Sequence, residues 1–257
     1  MPSWDPSLYL KFGEERTQAC RDLVARITLD SPRRIVDLGC GPGNSAEVLL
    51  KRWPDAIVTG VDSSEAMLAA ARERLPNVRW QKTDITSWVA DEPVELVFSN
   101  AALHWPSDHE HLIPRLFDQV APGGALAWQV PSNFDAPAHV CMRDLAASPG
   151  WRSYFTEPVR EWNFHPLPFY YDLLAPSAIR IDLWTTEYLH VMDGPSGIIE
   201  WYKGTGLRPF LDRLESSADQ ERFLDELLIE IERLYPRQPD GRVLCPFSRQ
   251  FAIAYRK

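Results

Sequence analysis

The residues best placed for chemistry are Asp37-Leu38-Gly39-Cys40-Gly41-Pro42-Gly43-Asn44, an acid followed by three glycines in alternation. Glycine lets a backbone turn through φ > 0 and approach a ligand more closely than any Cβ allows. The spacing is G-x-G-x-G, not the G-x-G-x-x-G that cradles a dinucleotide pyrophosphate. A nucleotide-like ligand approached by bare backbone is one reading of this loop, and a plain tight turn is the other. A second acid, Asp62, closes the apolar run Val58-Thr59-Gly60-Val61, nineteen residues after Gly43. A carboxylate there can accept hydrogen bonds from both hydroxyls of a ribose. It can also cap a helix over 63–75. Further on, Thr83-Asp84-Ile85-Thr86 pairs an acid with an apolar residue, which suits the amine and the face of a purine, and equally suits a turn. Asn100-Ala101-Ala102-Leu103-His104-Trp105 follows a fourth apolar run and adds polar and aromatic groups.

Those clusters need a scaffold that brings them to one edge. Arg33–Asp37, Ala56–Val61, Val78–Gln81, Val94–Ser99 and Ala125–Val130 read as strands. Helices are expected over Leu8–Ala25, Ser45–Arg52, Glu65–Leu75 and Asp108–Val120. Strand–helix alternation at this spacing predicts an α/β fold, with a doubly wound, mostly parallel, Rossmann-like sheet of about seven strands and helices on both faces. Ligands of such sheets sit outside the carboxyl ends of the strands, where all four clusters fall. The second half is denser in aromatics, with eight in Trp151–Tyr171. It reads as a helical cap inserted over about 134–245. Two late strands, Ile179–Glu187 and Gln250–Tyr255, and an amphipathic helix, Ala218–Leu234, are expected there. One domain over 1–257 is expected, with a cofactor core at about 30–130 and an N-terminal lid or helix at 1–29.

Charge and cysteine usage limit the partners. The formal net charge is −9 over 257 residues, which argues against nucleic acid or an anionic membrane surface. The four cysteines lie far apart without a C-x-x-C pair and read as free thiols in a reducing compartment. With no apolar run long enough to span a bilayer and no leader-like start, a soluble cytoplasmic protein is expected, a monomer rather than an obligate oligomer. Asp108-His109-Glu110-His111 looks like a metal tract, but histidines two apart on a helix diverge. Ser107-x-x-Glu110 as a capping box accounts for it, and no metal is expected.

The four strand-end clusters in register resemble class I S-adenosylmethionine-dependent methyltransferases over about residues 30–130. The resemblance implies S-adenosylmethionine as cofactor. It implies cofactor contacts from Asp37, Gly39, Cys40, Gly41, Asn44, Asp62, Ser63, Met67, Asp84, Ile85, Asn100, Leu103 and Trp105. Trp4–Phe12, Ser99–Trp105, Tyr170-Tyr171-Asp172 and Thr205–Phe210 are similar to a branch of that family that esterifies one carboxylate of a small tricarboxylate. Such an acceptor is ionised at neutral pH, so the transfer needs no general base and no catalytic residue in that sense. Positioning is expected of Tyr9, Trp105 and Arg208. Acceptor contacts are expected from Tyr9, His104, Trp105, Tyr170, Tyr171, Trp201 and Arg208, with Arg143, Arg180 and Arg249 as weaker candidates. Arg suits the task because its planar fork pairs bidentately with a carboxylate. His104 stands where Gln is expected in some relatives. Two other readings remain open at this point. One is methylation of another small-molecule acid, or of a phenol, amine or other natural-product acceptor with His104 as base, and the other is a non-catalytic cofactor-binding module.

Overall fold

The computed structural model describes residues 13–159 and 162–257, with side chains from Thr17 onward. Tyr9, Phe12 and the rest of the expected N-terminal lid lie outside the described residues. The chain forms two compact units, one of residues 1–131, 162–186 and 249–257 and the other of 132–161 and 187–248.

In the first unit, α1 (Gly13–Arg26) precedes β1 (Arg34–Leu38), α2 (Asn44–Arg52), β2 (Ile57–Asp62), α3 (Glu65–Arg74), β3 (Arg79–Lys82), β4 (Val94–Asn100), α4 (His109–Asp118) and β5 (Val120–Pro131). After the second unit's α5 (Pro137–Ala147), the chain returns through α6 (Leu167–Leu174) and β6 (Ala178–Met192). Three helices of the second unit follow, α7 (Pro195–Lys203), α8 (Arg208–Leu211) and α9 (Ser217–Leu234), and β7 (Val243–Arg256) ends the chain.

The sheet has seven strands in the order β3-β2-β1-β4-β5-β7-β6. β1 pairs in parallel with β2 on one side and β4 on the other, while β7 runs antiparallel to β5. Strand order therefore reverses at β1, which opens a crevice beyond its carboxyl end. The central strands are apolar on both faces, as helix-covered parallel strands must be: Ile35, Leu38, Leu96, Val97 and Leu126 are all buried. The expected strands recur with small end shifts. The two late ones are longer than expected, Ala178–Met192 and Val243–Arg256, and β7 extends back beyond the Arg249–Tyr255 stretch that pairs with β5.

The second unit is built around aromatic pairs. Trp151 packs edge-on against Phe223 with ring centroids 5.0 Å apart, and Trp201 lies 4.5 Å from His190 and 5.5 Å from Phe247. All four cysteines are buried free thiols. No helix among the described residues is long and apolar enough to cross a membrane.

Candidate functional site

The glycine loop leaves β1 and is stitched to the end of β2. Gly39 and Cys40 both donate backbone N–H bonds to the Val61 carbonyl, at 2.8 and 3.1 Å. Gly39 has φ +70°, and a Cβ there would lie 2.2 Å from the Cβ of Ala102, so only glycine fits between the two loops. Ile85 is the next neighbour, 3.4 Å from that same point. Three clusters far apart in sequence thus converge on Gly39. Gly41 also has a positive φ of +53°, but a Cβ there would meet nothing within 4 Å, leaving its backbone open to a ligand. Trp80 supports the loop from below, its ring filling the space a side chain at Gly60 would take.

The acids divide by environment. Asp37 is fully buried, with Oδ2 accepting from the Ser45 hydroxyl at 2.6 Å. Burial pushes its carboxyl up to about 7, against the pull of that hydroxyl and the Ala46 amide. Asp62 receives the Gly41 N–H on Oδ2 at 2.9 Å and the Ser64 N–H on Oδ1 at 2.8 Å. Each oxygen keeps a further lone pair. The expected cap role passes to Ser64, whose hydroxyl accepts from Met67 N and starts α3 two residues later than Asp62. Asp84 is exposed, with Oδ1 accepting from the Thr86 amide and hydroxyl at 2.8 and 2.6 Å, so it holds its own turn and retains a free edge. Asn44, Ser63 and Met67 sit at the starts of α2 and α3, with Met67 buried.

At the end of β4 the chain leaves the sheet through Ala101, whose φ of 53° is the one positive value for a non-glycine among the described residues. Asn100 Oδ1 accepts from Gln129 Nε2 at 2.7 Å, and Gln129 Oε1 accepts from Arg249 at 3.1 Å. His104 is buried, 4.7 Å from the Trp105 ring and 5.1 Å from Trp162. Burial pushes its imidazole down to about 3, and the Arg249 and His109 charges push the same way. Asn163 clamps this segment, donating its backbone N–H to the His104 carbonyl at 2.8 Å.

Several supporting residues carry no sequence signal. Gln129, Asn163 and Arg115, which donates to the carbonyls of Ile85, Thr86 and Trp88, are ordinary types on ordinary elements. His109 was visible only as part of the apparent metal tract. It is a buried post, with Nε2 2.7 Å from the Leu103 carbonyl and Nδ1 2.8 Å from the Tyr170 hydroxyl. His111 is exposed and pairs with Asp108, which caps α4 in place of the expected Ser107. The Asp108 carboxylate accepts from the His111 amide itself, so the capping frame moves by one residue.

The expected acceptor contacts divide between the two units. Tyr170 is buried as the partner of His109 and packs against Trp128, while Tyr171 on the same helix is exposed. Trp201 lies inside the aromatic core of the second unit. Arg208 opens α8 in that unit, with Nε 3.7 Å from Asp212. Arg143 donates to the Phe134 carbonyl, and Arg180 lies over the Tyr255 ring and pairs with Asp182. Arg249 is buried.

Residues 35–124 match the family described as "Methyltransferase domain". The chain is 47% identical to the trans-aconitate 2-methyltransferase of Variovorax paradoxus strain S110 and 46% identical to that of Azoarcus sp. strain BH72, covering 100% of both chains in each case. The chain belongs to the trans-aconitate 2-methyltransferase family. Among solved structures, the YcgJ protein of Bacillus subtilis superposes with a TM-score of 0.59 at 15% identity, covering 93% of this chain and 99% of that one. A phosphoethanolamine N-methyltransferase of Haemonchus contortus, solved with S-adenosylhomocysteine, superposes at 0.56 and 16% identity, over 93% of this chain and 53% of that one. These likenesses establish the fold. The methyl donor implied by this family is S-adenosylmethionine, and the residues present fit it. The Gly41 backbone is open, Asp62 has acceptor capacity left beside it, and Ile85 offers an apolar face next to Gly39.

Proposed function

We propose that this chain transfers a methyl group from S-adenosylmethionine to one carboxylate of trans-aconitate, giving the monomethyl ester. The observation that carries this reading is the end-to-end identity of 47% to an enzyme named for that reaction. S-Adenosylmethionine, when bound, supplies a methyl group made electrophilic by its sulfonium. Gly39 and Gly41 approach that ligand with bare backbone, Asp62 accepts from its ribose hydroxyls, and Asp84 and Ile85 hold the adenine amine and face. Asp37 and Asn100–Trp105 flank the remaining end, where the acceptor enters.

The acceptor needs orientation rather than deprotonation, because its carboxyl groups ionise near pH 4. His104 suits that division of labour. An imidazole pushed down to about 3 is neutral at pH 7 and too weak a base to activate a phenol or an amine. Neutral His104, Trp105 and Trp162 give the acceptor a water-poor wall, which strengthens attraction between opposite charges and favours a reaction that cancels them. Purified protein incubated with S-adenosylmethionine and trans-aconitate should yield the monomethyl ester by mass spectrometry. No ester at any protein concentration would remove the substrate assignment.

A further inference from the structure

We propose that Arg249 is the cation that anchors an acceptor carboxylate, and so sets the preference for a tricarboxylate; this inference rests on the function proposed above. Arg249 is 4% exposed and, among the described residues, is the one lysine or arginine that is buried. A guanidinium stays charged in any protein environment, so its place in the fold decides what that charge can meet. Arg249 pairs with Pro131 across β5 and β7, two positions beyond the Gln129–Phe251 pair, and Gln129 itself pairs with Asn100 at the end of β4. That is the carboxyl edge of the parallel strands, where ligands of such sheets bind.

The side chain is also held in place. Gln129 accepts from Arg249 with Oε1 and donates from Nε2 to Asn100, so one amide fixes both the cation and the polar end of β4. His104, in the same unit, lies near enough for the Arg249 charge to depress its basicity. A guanidinium fixed by Gln129 at this edge carries the charge and the planar fork that suit a carboxylate. A chain with a formal charge of −9 repels a polyanion at long range, so attraction has to be local.

The test uses wild type, Arg249→Gln and Arg249→Lys with trans-aconitate and three analogues that each lack a different carboxylate: glutaconate, itaconate and mesaconate. Arg249→Gln should lower kcat/KM for trans-aconitate roughly 30-fold or more, chiefly through KM. It should cost little on the one analogue that lacks the anchored carboxylate, so that the two losses do not add. Arg249→Lys keeps the charge without the fork and should fall between the two, which covers a Gln variant that does not fold. S-Adenosylhomocysteine affinity by calorimetry should stay within about 3-fold of wild type, since a packing defect would move it as well. Losses of equal size on trans-aconitate and on every analogue that wild type esterifies overturn the inference while the proposed function stands. No ester from wild type on any of the four overturns both.

Discussion

Gly39 and Ala102 approach so closely that a Cβ on Gly39 would sit 2.2 Å from the Cβ of Ala102, well inside van der Waals contact. The contact locks the loop after β1 to the loop after β4, and with them the two halves of the crevice. Gly39→Ala meets this clash and a φ of +70° together, and should cost about 2–4 kcal/mol of stability with a large loss of S-adenosylhomocysteine affinity. Gly41→Ala pays the conformational cost alone, about 1–2 kcal/mol, because its Cβ meets nothing. Denaturant titration of both variants decides the matter, and equal losses would mean that the two loops are not locked.

Asp37 gives stability an unusual pH dependence. Its carboxyl is raised from 3.8 to about 7, so between those values the unfolded chain has released a proton that the native state still holds. Stability from this group is therefore present below about pH 4 and declines as pH rises toward 7, by at most about 4 kcal/mol. Asp37→Asn removes the titration and keeps an acceptor for the Ser45 hydroxyl. Melting temperature of the variant minus that of wild type, measured without ligand, should grow from pH 5 to about pH 7 and level off above it. A difference independent of pH would rule out a proton on Asp37.

How much of this was legible in sequence varies with the kind of signal. Gly39, Gly41, Asp62 and Ile85 were readable because backbone approach and strand-end position leave a mark in residue type and spacing. The parallel strands were readable because burial on both faces leaves continuous apolar runs. The supports were not. Gln129 and Asn163 act through hydrogen bonds that reach Asn100 and His104, 29 and 59 positions away, which no local pattern encodes. His109 was misleading, since a polar tract at a helix start hides one buried imidazole behind an exposed one. Burial of a strand-end arginine such as Arg249 leaves no mark in residue type or spacing.

The His109–Tyr170 pair offers a test of support at a distance. The Leu103 carbonyl can only accept, so His109 carries its proton on Nε2, and its Nδ1 accepts a hydrogen bond from the Tyr170 hydroxyl. The phenol oxygen accepts in turn from the His165 amide at 3.1 Å. Tyr170→Phe strands both partners and should cost about 1–3 kcal/mol. A double-mutant cycle with His109→Ala should show a coupling of about 1 kcal/mol or more, and simple additivity would dissolve the pair.

His104 decides between two chemistries, and a pH–rate profile reads the answer directly. A buried imidazole held down to about 3 does not change charge between pH 5 and pH 8. Acceptor carboxylates ionise below that window as well. With trans-aconitate as acceptor, kcat should therefore be flat from about pH 5.5 to 8, with no limb near 6.5. The same imidazole bears on stability with the opposite sign to Asp37. Its native pKa lies below the unfolded value of 6.5, so its contribution is present above about pH 6.5 and is lost as pH falls toward 3. His104→Gln removes that acid sensitivity, and melting temperatures of wild type and variant should diverge below pH 6.5. An acidic limb in kcat near 6.5 that vanishes in His104→Gln would instead make this imidazole a general base, and the acceptor a phenol or an amine.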